Sequence, residues 1–365
     1  MWCYVVATIR CSISLALLFT KLMMSAWCST LYNGNKRLKT IQQEKLNNQV
    51  AELDVATSEN NIQESIAQVY IQILYAAESV KVNESTLQVS IAQRDRGQEL
   101  LNAGSIAKSD FAQLEAQVST DRYQLVTAQA TLEDYKLQLK QLLELDGENE
   151  MNIYLPALSD ENVLAPLPTK KDVYISALSL RPEIEASKLN VEASELGIGI
   201  AKSSYLPTIS LSAGIGTNHT SGSDFTFGEQ VKNGWNNSIG LSVSVPIFNN
   251  RQTKSAVQKA KLQYETSMLS LLDEQKTLYK TIEGLWLDAN SAQQRYAAAN
   301  EKLKSTQISY ELISEQFNLG MKNTIELLTE KNNLLQAQQE QLQAKYMAIL
   351  NTQLLKFYQG DQLAL

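Results

Sequence analysis

Apolar side chains recur about every 3.5 residues along most of this chain. In residues 36–103 they advance by alternating steps of four and three residues, through Ile62, Ile66, Val69, Ile73, Ala76 and Val80. The stretch contains no proline and a single glycine, Gly97. This period is typical of supercoiled helices. It predicts one helix about 100 Å long, at about 1.5 Å per residue.

A second apolar stripe follows a glycine turn. Gly104, Ser105, Ile106 and Ala107 interrupt the helix, and glycine accepts the left-handed backbone at which many helices stop. The stripe then resumes, with Asp121 as its one polar exception, at Phe111, Leu114, Val118, Leu125, Ala128, Leu132, Tyr135, Leu139 and Leu142. The pattern predicts an antiparallel helical hairpin over residues 30–145, with its tip at 104–107.

The same design recurs at an offset of about 216 residues, counted along the printed sequence. The steps of the first stripe return at Leu278, Ile282, Leu285, Ala289, Ala292 and Tyr296. Gly320, Met321, Lys322 and Asn323 take the place of the first turn. The two copies align without a gap from about residue 30 to about residue 142. We interpret them as tandem repeats, the second a hairpin over residues 249–360 with its tip at 320–323.

Between the two hairpins the apolar period changes to 2. Residues 207–217 and 238–247 each alternate branched or small apolar side chains with serine, threonine or glycine. Runs of about ten residues are long enough for a tilted strand to cross a bilayer. Aromatic residues, which favour membrane interfaces, lie at or beyond the ends of these runs, at Tyr205, Phe225, Phe227, Trp235 and Phe248. The pattern predicts a transmembrane β-hairpin over 205–248, with a polar outer loop at 218–236.

A soluble sheet with one wet face shows the same alternation. An isolated hairpin is barely stable, however, and the chain offers few other strands. The strand edges therefore favour closure by other copies of the chain. Residues 146–170 contain three prolines and interrupt the returning helix, and a further helix is predicted over 171–204, starting or kinking near Pro182.

Composition excludes several classes of function. The net charge of −7 gives no reason to expect a nucleic-acid partner. The three cysteines lie within the first 28 residues, and the single histidine, His219, falls in the predicted outer loop. A disulfide framework, a metal site, a cofactor site and a catalytic centre are therefore not expected, and the protein is not predicted to be an enzyme.

The order of these elements resembles the TolC-like outer membrane efflux protein family over residues 30–360. The more specific signals are Leu180-Arg181-Pro182-Glu183, the segment from Ala201 to Leu211, and Val245-Pro246-Ile247-Phe248. The resemblance implies a mainly α fold. It consists of long coiled α-helical hairpins in two tandem repeats and a short transmembrane β-hairpin that contributes to a trimeric β-barrel.

The resemblance also implies a location and partners. A homotrimer would lie in the outer membrane of a Gram-negative bacterium, in contact with outer membrane lipid, with its helical part in the periplasm. Four strands per subunit would form a twelve-stranded barrel, and a periplasmic adaptor protein and an inner-membrane transporter would complete the export system. The hairpin tips, at Gly104, Ser105 and Ile106 and at Gly320, Met321 and Lys322, would dock the adaptor.

The family also places acidic side chains around the closed aperture of the tunnel. The matching positions are Asp110 and Glu326, whereas a second acidic position of the family is Thr329 here. Carboxylates in the first turns of a helix are also favourable for the helix dipole alone, so both interpretations stay open.

The first repeat departs from the family pattern at its start. Projecting the second copy back by the same offset places a strand over residues 22–31, but Ser25 and Ser29 fall where apolar residues are expected. We therefore expect residues 1–29 to be an atypical segment, either signal-like or an aberrant or truncated start, in which this strand is lost. The remaining alternative for the whole chain is a soluble or periplasmic coiled-coil scaffold without channel activity.

Overall fold

The computed structural model describes residues 20–145, 153–154, 163–220 and 224–363. Over these residues the protein is mainly helical, as the sequence predicts, with seven helices and one small sheet. The helices are α1 (Lys36–Asn102), α2 (Lys108–Leu142), α3 (Lys170–Leu180), α4 (Pro182–Ser203), α5 (Phe227–Asn233), α6 (Gln252–Asn318) and α7 (Thr324–Gln359). The strands are β1 (Thr20–Asn33), β2 (Thr208–Thr220) and β3 (Asn236–Ser244).

The chain divides into two compact units. One unit combines residues 1–47 with 191–267, and the other combines 48–190 with 268–365. Helices α1, α4 and α6 contribute residues to both. Among the helices in the described ranges, none is both long enough and apolar enough to cross a membrane.

The first unit contains an antiparallel sheet in the order β1-β2-β3. Ala213 of β2 lies opposite Trp27 of β1 and opposite Ile239 of β3. Because side chains alternate between the faces of a sheet, these three residues share one face. The apolar face of β3 is open to its surroundings, with Ile239 84% exposed and Leu241 66% exposed. Serine and glycine form the other face of the β2–β3 pair, where Ser212 lies opposite Gly240.

Strand β1 corrects the expectation that the strand before Asn33 is lost. Residues 20–29, part of the segment expected to be atypical, pair with β2 along their whole length. The pattern is weak because Ser25 and Ser29 themselves pair opposite the apolar Ile215 and Leu211. A register shift between Thr30 and Tyr32 then places Tyr32, and not Leu31, opposite Ile209. Backbone pairing with β2 forms the strand even though Ser29 lies on the apolar face. Residues 1–19 lie outside the described residues.

The connection between β2 and β3 contains a helical turn where a loop is expected. Helix α5 begins after Thr226, whose backbone N–H donates to the Glu229 carboxylate at 2.9 Å and whose hydroxyl donates to it at 2.8 Å. Threonine followed three residues later by glutamate is a capping-box sequence, so a signal for this helix was present. The predicted outer-loop residue His219 falls at the end of β2, and its side chain lies outside the description.

The second unit has an apolar core in two clusters. One joins residues of α1, α6 and α7, namely Ile71, Leu74, Ala292, Tyr296, Ala344, Tyr346, Ala348, Ile349, Leu350 and Leu354, with Val163. The other joins α3 and α4 to α6 and α7 through Val173, Ala177, Ile184, Leu278, Ile282, Ala289 and Leu355. Five of the six stripe positions of the second copy are buried, whereas Ile62 of the first stripe is 49% exposed.

The predicted helix 171–204 is broken at Arg181. Helix α3 ends at Leu180, Arg181 has extended backbone (φ −75°, ψ 123°), and Pro182 opens α4. Proline suits this first helical position because its missing N–H and fixed φ cost nothing there. The Arg181 side chain is 6% exposed, donates to Glu64 of α1 at 3.0 Å, and lies 3.7 Å from the ring centroid of Tyr358. Burial raises the pKa of Tyr358 to about 12, so the ring stays a neutral phenol at neutral pH.

Replacing Arg181 with alanine should destabilise the second unit. The change leaves the largely buried Glu64 without its cation and Tyr358 without its stacking partner. Removing one member of a buried ion pair lowers the free energy of unfolding by about 3 kcal/mol. Thermal unfolding in detergent, followed by far-ultraviolet circular dichroism, measures the effect. Lys188→Ala, which removes an exposed pair with Glu185 on α4, is the matched control and should change stability by less than about 0.5 kcal/mol. Equal midpoints for the two variants would contradict the role of Arg181.

Candidate functional site

The two predicted tips are turns of the same geometry. Gly104 and Gly320 both have a φ of 74°. The N–H of each glycine donates to a carbonyl three residues back at 2.9 Å, and the N–H of the next residue donates to a carbonyl five residues back at 2.8 Å. This pair of bonds is the Schellman arrangement, which satisfies the last carbonyls of a helix. The tip residues Ser105 and Ile106 therefore follow α1 just as Met321 and Lys322 follow α6.

The predicted aperture residues occupy matching places just after the turns. Asp110 and Glu326 are each the third residue of a helix, α2 and α7 respectively. The Asp110 carboxylate accepts the backbone N–H of Ala107 at 3.4 Å. Glu326 has more partners, since its N–H donates to the Asn323 side chain at 2.9 Å and its carboxylate pairs with Lys322 at 2.5 Å. Both carboxylates thus help to begin a helix, whatever else they do.

The tip after α6 presents apolar side chains to its surroundings. Leu319, Met321 and Ile325 are 74%, 69% and 61% exposed, whereas Ile106 of the first tip is half-buried. Exposed apolar side chains that cluster at one place are a common feature of protein interaction sites. The two tips therefore differ in surface chemistry although their backbones match.

A buried polar cluster lies further along the same helices. Lys331 of α7 contacts the hydroxyl of Ser90 on α1 and the carboxylate of Asp121 on α2, and the Ser90 hydroxyl also donates to Asp121. Gln117 donates to the other oxygen of Asp121 at 2.9 Å. Lys331, Ser90 and Asp121 are 3%, 2% and 1% exposed.

Lys331 is not recognisable from the sequence as the partner of Asp121. Asp121 was visible as a polar exception in an apolar stripe, but the stripe alone does not say which helix supplies the opposite charge. Burial lowers the pKa of the Lys331 ammonium from its usual value, and the Asp121 carboxylate opposes part of that shift. The cluster is a buried ion pair that joins α7 to both helices of the first hairpin.

Comparison with known proteins identifies the family. A model of the outer membrane efflux protein family matches residues 173–360, just over half of the chain. The chain belongs to the outer membrane efflux protein family. Membership in this family makes it an outer membrane protein.

The relatives found by sequence are distant and longer than this chain. Outer membrane efflux protein BepC of Brucella suis is 24% identical over 294 residues, which cover 80% of this chain and 61% of BepC. Outer membrane protein TolC of Escherichia coli is 23% identical over 311 residues, which cover 83% of this chain and 62% of TolC. The chain thus spans about three fifths of the length of these curated relatives.

The fold agrees with solved structures of outer membrane channels. The CmeC outer membrane channel of Campylobacter jejuni superposes with a TM-score of 0.75 at 18% identity, covering 95% of this chain and 79% of CmeC. At this identity the likeness concerns the fold.

Replacing Gly320 with alanine should strain the second tip. No neighbour lies within 4 Å of a Cβ at this position, so the cost comes from the left-handed backbone and is about 1–2 kcal/mol. Asparagine, which tolerates this conformation, should cost less. Gly284→Ala in the interior of α6, where a Cβ also meets nothing, is the control and should raise stability by up to about 1 kcal/mol. Thermal unfolding midpoints compare the three variants, and equal shifts for Gly320→Ala and Gly284→Ala would contradict the role of the backbone.

Proposed function

We propose that this protein is a subunit of an outer-membrane exit duct that serves a tripartite efflux or type I secretion system. It conducts small molecules or proteins passively across the periplasm and outer membrane, and its partners supply the energy. The observation that carries this proposal is the open sheet with an exposed apolar face, joined in one chain to helices of 67 residues each.

The sheet supports a barrel shared between copies. Among the described residues β1 and β3 are the edge strands, so each has one edge without a partner strand. A membrane has no water to satisfy such edges, and closure with other copies satisfies them. The apolar face with Ile239 and Leu241 faces lipid, and the serine and glycine face lines water. Three copies form the barrel in this proposal, as the family resemblance implies.

The helical hairpins support the periplasmic half of the proposal. The two hairpins of each subunit, as tandem repeats, form the wall of an α-helical tunnel in the periplasm. The tips at Gly104, Ser105 and Ile106 and at Gly320, Met321 and Lys322 dock a periplasmic adaptor, which links the duct to an inner-membrane transporter. The exposed Leu319, Met321 and Ile325 make the second tip the stronger apolar contact.

The acidic residues behind the tips set the charge of the closed aperture. Asp110 and Glu326 repeat in every subunit, so a trimer places six carboxylates in one region. Rings of acidic side chains select cations. No step of this function requires a catalytic group, and the curated relatives are named as outer membrane and export proteins, not as enzymes.

Conductance in planar lipid bilayers tests the duct itself. The purified full chain, reconstituted in bilayers, should give discrete channels, because the closed barrel is water-filled on its polar face. Heat-treated protein that stays folded and fully soluble without detergent, and gives no conductance, would favour the coiled-coil scaffold instead.

Charge removal at Glu326 tests the aperture. Glu326→Ala and Glu326→Gln should both lower the preference for potassium over chloride, by roughly twofold or more. Glutamine keeps a side chain of similar size at the helix start, so its effect isolates the charge. Asn323→Ala is the control, because it removes the cap of α7 and keeps the carboxylate, and it should leave selectivity unchanged. Unchanged selectivity in both Glu326 variants would remove Glu326 from the aperture.

A further inference from the structure

The Lys331 cluster joins three helices from both hairpins. Lys331 comes from α7, Ser90 from α1 and Asp121 from α2, and all three side chains are almost fully buried. Every polar group of the pair has a partner here, since Gln117 takes the second oxygen of Asp121. The cluster interrupts an otherwise apolar seam, with Leu327 and Leu334 buried on the turns of α7 before and after Lys331.

Stability alone does not explain such a cluster. A buried ion pair is costly to desolvate, and well-packed apolar side chains in its place often stabilise a protein equally well. The best-attested use of a buried polar group between long helices is to fix which helices pair and in which register. The hairpins of this protein need such a device, because their apolar stripes share the same steps.

The offset of 216 residues shows that the cluster belongs to one hairpin interface only. Counted back or forward by that offset in the printed sequence, Lys331 corresponds to Glu115, Asp121 to Ala337, and Ser90 to Thr306. The charge that α7 inserts is therefore reversed at the matching place on α2. The carboxylate that receives it is replaced by an alanine that is 0% exposed.

These substitutions make like hairpins poor partners. If α2 of a second copy occupied the place of α7, Glu115 would meet Asp121, and two carboxylates would share a buried site. If α7 of a second copy packed on another α6–α7 hairpin, Lys331 would meet Thr306 and Ala337, leaving a buried cation without a carboxylate.

An α6–α7 hairpin packed on an α1–α2 hairpin brings opposite charges together. Within one chain Lys331 meets Asp121, as described.

We propose that Lys331, Asp121 and Ser90 determine hairpin pairing, so that an α6–α7 hairpin packs against an α1–α2 hairpin and like hairpins of different copies are excluded. The partner that this surface rejects is a second copy of the same hairpin. The proposal rests on the tandem repeat of the proposed duct subunit, but it concerns assembly and holds whether or not the assembly conducts ions.

Cysteine cross-linking in the full chain tests the proposal. The native cysteines are first replaced by serine. Gln117 of α2 lies 3.4 Å from Asn332 of α7, so Gln117→Cys with Asn332→Cys reports correct packing within a chain. The residue that matches Asn332 on α2 is Ala116. Two co-expressed chains, one with Ala116→Cys and one with Gln117→Cys, therefore give a covalent dimer only when two α1–α2 hairpins pack together.

The decisive comparison removes the cluster. With the cluster intact we expect the 117–332 cross-link and no 116–117 dimer. In Glu115→Leu/Lys331→Met/Asp121→Leu the 116–117 dimer should rise by about tenfold or more, because neither two facing carboxylates nor a lone buried charge then penalises like pairing. Lys302→Met/Glu340→Leu, which removes an exposed ion pair between α6 and α7, is the matched control and should give no dimer.

Three results would overturn the proposal. One is an absence of 116–117 dimers in folded Glu115→Leu/Lys331→Met/Asp121→Leu, and another is the same dimer yield in the control. The third concerns folding, for which Lys331→Gln/Asp121→Asn is the second variant, since it keeps hydrogen-bonding groups of similar size. Loss of the helical circular dichroism signal in both variants would show that the cluster is required to fold the chain and not to choose partners.

Discussion

Register between long helices is the constraint on which this structure depends. Helices α1 and α6 have 67 residues each, and every residue added to a helix turns all later side chains by about 100°. An apolar stripe therefore meets its partner only if no residue is inserted anywhere along the contact. The ungapped match of the two hairpins in sequence and the identical hydrogen bonds at Gly104 and Gly320 both follow from this constraint. Each turn must therefore end the preceding helix at a defined residue.

The sheet obeys a different constraint, which is the satisfaction of backbone groups at its edges. Each strand exchanges hydrogen bonds with its neighbours, and within the described residues the outer edges of β1 and β3 face no further strand. Apolar burial cannot complete this sheet, because the apolar face of β3 is almost wholly exposed in a single chain. The helices bury part of their stripes within one subunit, as at Ile73 and Ala76, whereas Ile239 on the apolar face of the sheet is 84% exposed. This difference is why the proposed assembly is a channel and not a monomer.

The sequence predicted those features that depend on one segment at a time. The long helices, the glycine turns and the break near Pro182 all follow from local apolar period and backbone preference. Strand β1 was missed because Ser25 and Ser29 stand opposite apolar residues of β2, which weakens its alternation, and because pairing with β2 forms it. Lys331 was missed for a related reason, since a buried lysine looks like any surface lysine until the helix that supplies Asp121 is known.

Asp110 and Glu326 occupy matching positions of the two hairpins, but their carboxylates have different partners. Glu326 is already bound by Asn323 and paired with Lys322, so part of its charge is neutralised before any ion arrives. Asp110 accepts a backbone N–H, and no ion pair within the described ranges holds its carboxylate. Both carboxylates lie in the first turn of a helix, so the difference in their partners comes from the turn residues, with Lys322 and Asn323 in one hairpin and Ile106 and Ala107 in the other. If the two residues share an aperture, Asp110 therefore supplies the larger part of its field, and Lys322 moderates the contribution of Glu326. The second tip thus combines an exposed apolar patch with a carboxylate held by Lys322, whereas at the first tip Ile106 is half-buried and Asp110 accepts a backbone N–H.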